Sequence, residues 1–172
     1  MARKLFDLRR STSAIFGLIL IAMLALTLPA SAAGGTAKGT IKLKDKTVEI
    51  KYAYLLKAPD NFEPDKSVST VILTPTDISD KIEECDSASC ATALTEGMTL
   101  GREDFGSTTR VAYWVVADDG MKQFSGNESL PSLVLTADTD EKMAGKFSVD
   151  TSAIDGPSIN VEFDAPLAKE FK

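Results

Sequence analysis

The chain has 172 residues and no histidine, which excludes a Ser-His-Asp or Cys-His apparatus and removes the commonest metal ligand. Its net charge of −6 makes a surface that repels nucleic acid and anionic lipid, so no nucleic-acid partner is expected. Two cysteines without histidine do not make the usual structural zinc site, and neither a metal nor a cofactor is expected.

The N-terminus reads as a leader. Arg3, Lys4, Arg9 and Arg10 form a basic start, and Ala14 to Leu28 is apolar apart from Gly17 and Thr27. Pro29 breaks the run and Ala30-Ser31-Ala32 supplies an A-x-A site. These parts in this order read as a Sec-type signal peptide over residues 1–32, cleaved after Ala32. A spanning helix needs roughly 20 apolar residues. This run is shorter, so no stable membrane anchor is expected after cleavage, and the expected location is the periplasm or the medium. Four basic residues and one acid, Asp7, leave with the leader. The remaining 140 residues carry 15 basic and 24 acidic side chains, a net charge near −9. That length suits one domain, over residues 39–172, behind a flexible lead-in at 33–38.

Gly39 to Lys44 begins the fold, with Ile41 and Leu43 on one side and Lys42 and Lys44 on the other. Asp45-Lys46 turns the chain into Lys46 to Lys57, KTVEIKYAYLLK. There Val48, Ile50, Tyr52, Tyr54 and Leu56 alternate with Glu49, Lys51, Ala53, Leu55 and Lys57. The spacing predicts a long strand with the first set on one core face. Residues 59–66 are a loop in which Phe62 is the apolar residue, either capping the core edge or forming an exposed contact. Val68 to Thr74 is apolar on both faces and predicts a strand central in its sheet.

Residues 77–97 change character. Asp77 and Ser79 are candidate N-caps, acids follow in the first turns, and Ile78, Ile82 and Cys85 recur at helical spacing. One or two short helices are predicted, as an insertion over one open end of a β fold. Cys85 and Cys90 form a close, even pair, which in an exported chain reads as a disulfide. A redox centre would call for C-x-x-C at a helix start within a βαβ pattern, and the spacing here differs.

Met98 to Phe105 is a weak strand and Arg110 to Ala117 a strong one, apolar on both faces. Trp114, the sole tryptophan, is expected in the core, with a sugar-stacking platform as the alternative. Asp118-Asp119-Gly120 is a hairpin turn, from which Met121 to Phe124 returns. Asn127-Glu128-Ser129 matches a glycosylation acceptor and reads as chance in a bacterial export context. Further strands are expected at Ser132 to Ala137, over Met143, Gly145, Phe147 and Val149, and over Ile159, Val161 and Phe163. Short strands at this spacing predict an antiparallel β-sandwich of about seven to nine strands, Ig-like in architecture, with the helical, disulfide-clipped insertion.

The acidic turns (Asp118-Asp119; Asp138, Asp140 and Glu141; Asp60, Glu63 and Asp65) raise calcium as an alternative, but none has the EF-hand spacing. No pair of carboxylates stands out for glycoside hydrolysis. The chain resembles a family of small exported bacterial proteins without a settled activity. The resemblance lies in Gly39 leading into Tyr52-Ala53-Tyr54, in VILT (Val71 to Thr74) before a helical stretch, and in GKFSV followed by FDAPL (Phe163 to Leu167). It implies export and a β-sandwich-like domain and supplies no catalytic residue. The reading is an exported, non-enzymatic binding domain for an envelope protein or small ligand. Its candidate contacts are Phe62, Trp114, Asp118, Asp119 and the Cys85–Cys90 segment, mostly on loops carried by a rigid scaffold. The alternatives are a carboxylate hydrolase of the cell envelope and a structural envelope protein pairing through an edge strand.

Overall fold

A computed structural model describes residues 34–60, 63–105 and 108–172. The leader, Ala33 and Phe62 lie outside the described residues. In chain order the elements are β1 (Gly35–Leu43), β2 (Lys46–Pro59), β3 (Ser67–Thr74), α1 (Ser79–Glu84), α2 (Ala88–Ala91), β4 (Gly97–Phe105) and β5 (Thr108–Ala117). They continue with β6 (Lys122–Ser129), β7 (Leu133–Asp138), β8 (Lys142–Asp150) and β9 (Ser158–Glu170). Single 3-10 turns, Leu130–Ser132 and Ser152–Ile154, precede β7 and β9.

The nine strands form one sheet in the order β6-β5-β4-β3-β2-β1-β9-β8-β7. Its neighbours are antiparallel, as expected of a mainly β chain, except for a short parallel pairing of β2 with β9. The sheet curls until distant parts meet. Tyr113 of β5 packs on Phe147 of β8 with ring centroids 5.4 Å apart, and Arg102 of β4 pairs with Asp138 of β7 at 2.8 Å. Any sandwich-like layering therefore arises by curling of one sheet, not from two separate sheets. The concave side holds the large core, from Ile41, Val48 and Ile50 through Val71, Leu100 and Val115 to Phe147, Val161 and Phe163.

β2 departs from a single-faced strand. Val48 and Ile50 face the large core, but so do Ala53 and Leu55, while Tyr54 and Leu56 belong to a second cluster on the opposite face. The two-residue period slips by one step between Ile50 and Ala53. At the same level the β1–β2 register is irregular, with Thr36 opposite Tyr52 but Gly39 opposite Ile50. Gly39 has φ 145, a conformation that L side chains rarely adopt, so glycine is needed where the ladder shifts.

β1 starts earlier than expected. Gly35 already pairs with Ala53, so Gly35 to Lys38 belong to the sheet and not to a flexible lead-in. The reason is β9, whose residues from Ser158 to Asp164 offer a partner along the whole of β1. Beyond the start of β1, β9 crosses to β2, with Leu167 opposite Leu55 and Glu170 opposite Lys57. A Cβ on Gly35 would lie 1.9 Å from the Asp164 carbonyl oxygen, so only glycine fits this junction.

The helical insertion covers the outer face of β2, β3 and β9 instead of an open end. Ile82, Cys85 and Ala91 bury against Tyr54, Leu56, Ile72 and Phe171. The Cys85–Cys90 disulfide is formed, with Cα atoms 5.5 Å apart, and ties the end of α1 to α2. Asp77 lies one residue too early to be the cap of α1. Its carboxylate accepts from the Ser79 backbone N–H at 2.9 Å, while Ile78 occupies the cap position. Ser87 caps α2 by accepting from the Cys90 N–H.

Lys169 of β9 closes the other end of α1. Its ammonium donates to the carbonyls of Glu83 and Cys85 at 2.7 Å each and of Ile82 at 3.3 Å. A cation satisfying terminal carbonyls also meets the negative end of the helix dipole. Lys169→Met keeps the stem and removes the donor. It is expected to destabilise the protein by about 1 kcal/mol, read as a lower urea midpoint at unchanged slope.

Candidate functional site

Trp114 points away from the large core. On β5 the inward residues are Val111, Tyr113 and Val115, and the indole stands on the outer face, 44% exposed. The core role expected of it is therefore not the one it has. Both faces of β5 are apolar in sequence, yet the helices cover the outer face only over β2, β3 and β9. Directly opposite Trp114 stand Thr99 on β4 and Ser125 on β6, both too short to cover the ring.

Asp118 and Asp119 form the β5–β6 turn with φ 60 and φ 55, followed by Gly120 at φ 83. Asp118 pairs with Lys46 at 2.6 Å and lies 3.9 Å from Lys122, which also pairs with Asp45. Two acids and two lysines thus join the β1–β2 turn to the β5–β6 turn. Lys122 holds the Asp45 carboxyl below its usual range, and Asp118 raises Lys46. Asp118 is occupied by ammonium groups. A calcium ion would compete with them for its oxygens.

The other acidic turns are engaged in the same way. Asp138 pairs with Arg102, and Asp140 pairs with Lys57 of β2. Asp60 accepts from the Glu63 N–H, and Glu63 pairs with Lys66. Among the described residues no three potential metal ligands converge.

Trp114 and Asp118-Asp119 share the β5–β6 hairpin, about 13 Å apart along the strand. The Cys85–Cys90 segment sits over β2 and β3, elsewhere on the outer surface.

A groove that none of these residues lines crosses the outer face of β7, β8, β9 and β1, with a volume of about 550 Å³. Thr36, Thr136, Ala144 and Asp164 are among its lining residues, with Lys38, Val134, Lys146 and Glu162. Ala144 is buried although it faces outward, and Val134 is 60% exposed. Lys142 pairs with Asp164 at 2.7 Å. Register sets Lys38 and Lys146 on either side of Glu162. Among the described residues neither lysine is within ion-pair distance of an acid. In sequence these are ordinary solvent-facing positions of four strands, with β1 far from the other three in the chain. Only strand register gathers them, so no sequence signal marked the groove.

A buried network lies beneath the helices. Tyr54 is fully buried and donates to Asp77 Oδ1 at 2.7 Å, while its oxygen accepts from the Ile78 N–H at 2.9 Å. Burial pushes the Tyr54 phenol well above its usual range, and the bond to Asp77 adds to this. Ser79 holds the Asp77 carboxyl down, with Tyr54 assisting. Ser152 and Lys57 do the same for Asp150 and Asp140. Each of these shifts is downward, away from the protonated acid that glycoside hydrolysis uses at neutral pH.

No family model, characterised protein or solved structure matches the chain. The site has to be judged from its own geometry.

Tyr54→Phe leaves the Ile78 N–H without its acceptor and removes one donor from Asp77 Oδ1, which keeps Ser79, and is expected to cost about 1–2 kcal/mol. The pH dependence has two arms. The depressed Asp77 contributes stability that is present above its unfolded value near 3.8 and lost as pH falls through the lower folded value. The raised Tyr54 contributes stability that is full below pH 10.0 and lost as pH climbs toward the folded value. Urea melts from pH 2 to pH 11 are expected to show both losses, with the alkaline one smaller in Tyr54→Phe.

Proposed function

We propose that the chain is an exported, non-enzymatic binding domain that takes a small, negatively charged ligand in the groove across β7, β8, β9 and β1. The curled sheet serves as its sandwich-like scaffold, and the leader at 1–32 delivers it to the periplasm or the medium. The observation that carries this reading is a pair of exposed lysines on the groove wall, on either side of Glu162 and outside ion-pair distance of an acid among the described residues. Lys38 and Lys146 place two ammonium groups on one wall of the groove, against the acids Glu162 and Asp164 that also line it. The volume falls within the roughly 300–1,000 Å³ of small-molecule sites. Val134 and Ala144 offer an apolar surface beside the charges, and Thr36 and Thr136 offer hydroxyls.

Hydrolysis by paired carboxylates draws less support. The acids with perturbed values are held ionised, and the groove's Asp164 is engaged by Lys142.

Glucuronate, N-acetyl-dialanine and octanoate test the reading in a thermal-shift assay, with neutral glucose as control. At about 100 times Kd, a single site adds ~2.7 kcal/mol, which moves the midpoint by several degrees. At least one of the three carboxylates is expected to do so, and glucose is not. The shift is expected to vanish in the Lys38→Ala/Lys146→Ala variant. A carboxylate whose shift survives that double change sinks the groove assignment, and so does a panel without any shift.

A further inference from the structure

β6 is one edge of the sheet, and β5 is the one strand hydrogen-bonded to it among the described residues. Natural edges are usually blunted by proline, a bulge, central lysines or short length. β6 has eight residues in unbroken register with β5, from Lys122 opposite Ala117 to Ser129 opposite Arg110. Its centre is Gln123-Phe124-Ser125-Gly126-Asn127, without charge or proline. By contrast β7, the other edge, has six residues and a register irregularity between Leu135 and Ala137.

We infer that β6 is a homodimerisation edge, which pairs antiparallel with β6 of a second copy about a two-fold axis through Ser125. The inference is independent of the groove. If the two sheets continue into one with their core faces on the same side, residues opposite each other share a face. The axis must then pass through a residue and not between two. Only axes at Ser125 and Gly126 keep seven residues in register.

At Ser125 the strand is complementary to itself. Lys122 faces Glu128 of the copy, Gln123 faces Asn127, Phe124 faces Gly126, and Ser125 faces itself. Both charges of the strand meet an opposite charge, Phe124 faces Gly126, whose inner side the Tyr113 ring already covers with an aromatic surface, and the two amides face each other. Gln123 uses its amide nitrogen on the Gly120 carbonyl at 2.9 Å, which leaves its oxygen for Asn127 of the copy. Lys122 keeps Asp45 as a partner within its own chain, so its approach to Glu128 extends an existing cluster. An axis at Gly126 instead sets Phe124 against Glu128 twice, an apolar ring on a carboxylate. Like charges face each other in neither arrangement, so the Phe124 contact decides between the two registers. Gln123, Ser125 and Asn127 are exposed on the face that carries Trp114, so the two indoles flank the axis about 14 Å apart.

The test uses the protein recovered after export from cells expressing the full chain. Sedimentation equilibrium from about 1 µM to about 1 mM covers the range in which a small, transient interface fills. A reversible monomer–dimer equilibrium is expected. Ser125→Lys sets two ammonium groups face to face on the axis and is expected to weaken association at least tenfold, with the thermal midpoint of the dilute monomer unchanged. Register is read by oxidative cross-linking. A mixture of Gln123→Cys and Asn127→Cys is expected to give the mixed covalent dimer faster than either variant alone gives its own. Ser148→Cys, on the exposed outer face of β8, sets the collisional rate. A monomer across the whole range overturns the proposal, as does a dimer untouched by Ser125→Lys. Mixed cross-linking no faster than the Ser148→Cys rate overturns the register.

Discussion

The structure depends on β2 having to bury both of its faces, one after the other. Its first half gives Val48 and Ile50 to the concave core, and its second half gives Ala53 and Leu55 to the same core. Tyr54 and Leu56 are thereby turned outward, where large side chains on a solvated sheet would leave much apolar surface in water. Neither half has a simple polar outer face. The strand therefore needs a neighbour on the convex side, and the insertion between β3 and β4 supplies it.

That second layer is thin and held by several specific contacts. α1 and α2 have six and four residues, too few to be stable as isolated helices. What holds them is tertiary: Ile82 and Ala91 against Ile72 and Phe171, the disulfide, the Lys169 ammonium on the end carbonyls, and the Tyr54–Asp77 pair at the entrance. β9 contributes to both layers. Its residues from Ile159 to Ala165 line the concave core, and Phe171, just beyond its end, lies under the helices. The C-terminal residues thus link the last strand to the insertion through Lys169 and Phe171.

The remaining surface divides according to what its charges meet. Acids in the turns are largely matched with lysines or arginine from other strands, as in Asp118 with Lys46, Asp138 with Arg102 and Asp140 with Lys57. Exposed pairs of this kind contribute little stability each. They do tie turns that are distant in sequence, at positions where the curl of the sheet brings them together. The groove differs because Lys38 and Lys146 flank Glu162 without closing to ion-pair distance among the described residues. The β6 edge differs because, among the described residues, its backbone has β5 on one side and no strand on the other.

Much of the fold was legible in the residues. Alternation located most of the strands, the helical spacing of Ile78, Ile82 and Cys85 located the insertion, and the close cysteine pair implied its disulfide. Both faces of β3 were assigned correctly, with Ile72 opposite Val71 and Leu73. These are local signals, because a side chain's face follows from its own backbone and immediate neighbours. The misassignments share one cause. Tyr54 and Leu56 were expected beside Val48, Trp114 in the core, and Gly35 to Lys38 outside the sheet. Each depends on what another strand or helix does at that level: the β1 irregularity, the limited reach of the helices, and the presence of β9. The same holds for the groove, whose residues come from four strands aligned only by register. The sequence by itself determined which stretches extend, turn or coil, because those preferences are set within a few residues. Which face is covered, and which side chains share a site, was decided only by the curled sheet, since those contacts join residues tens of positions apart.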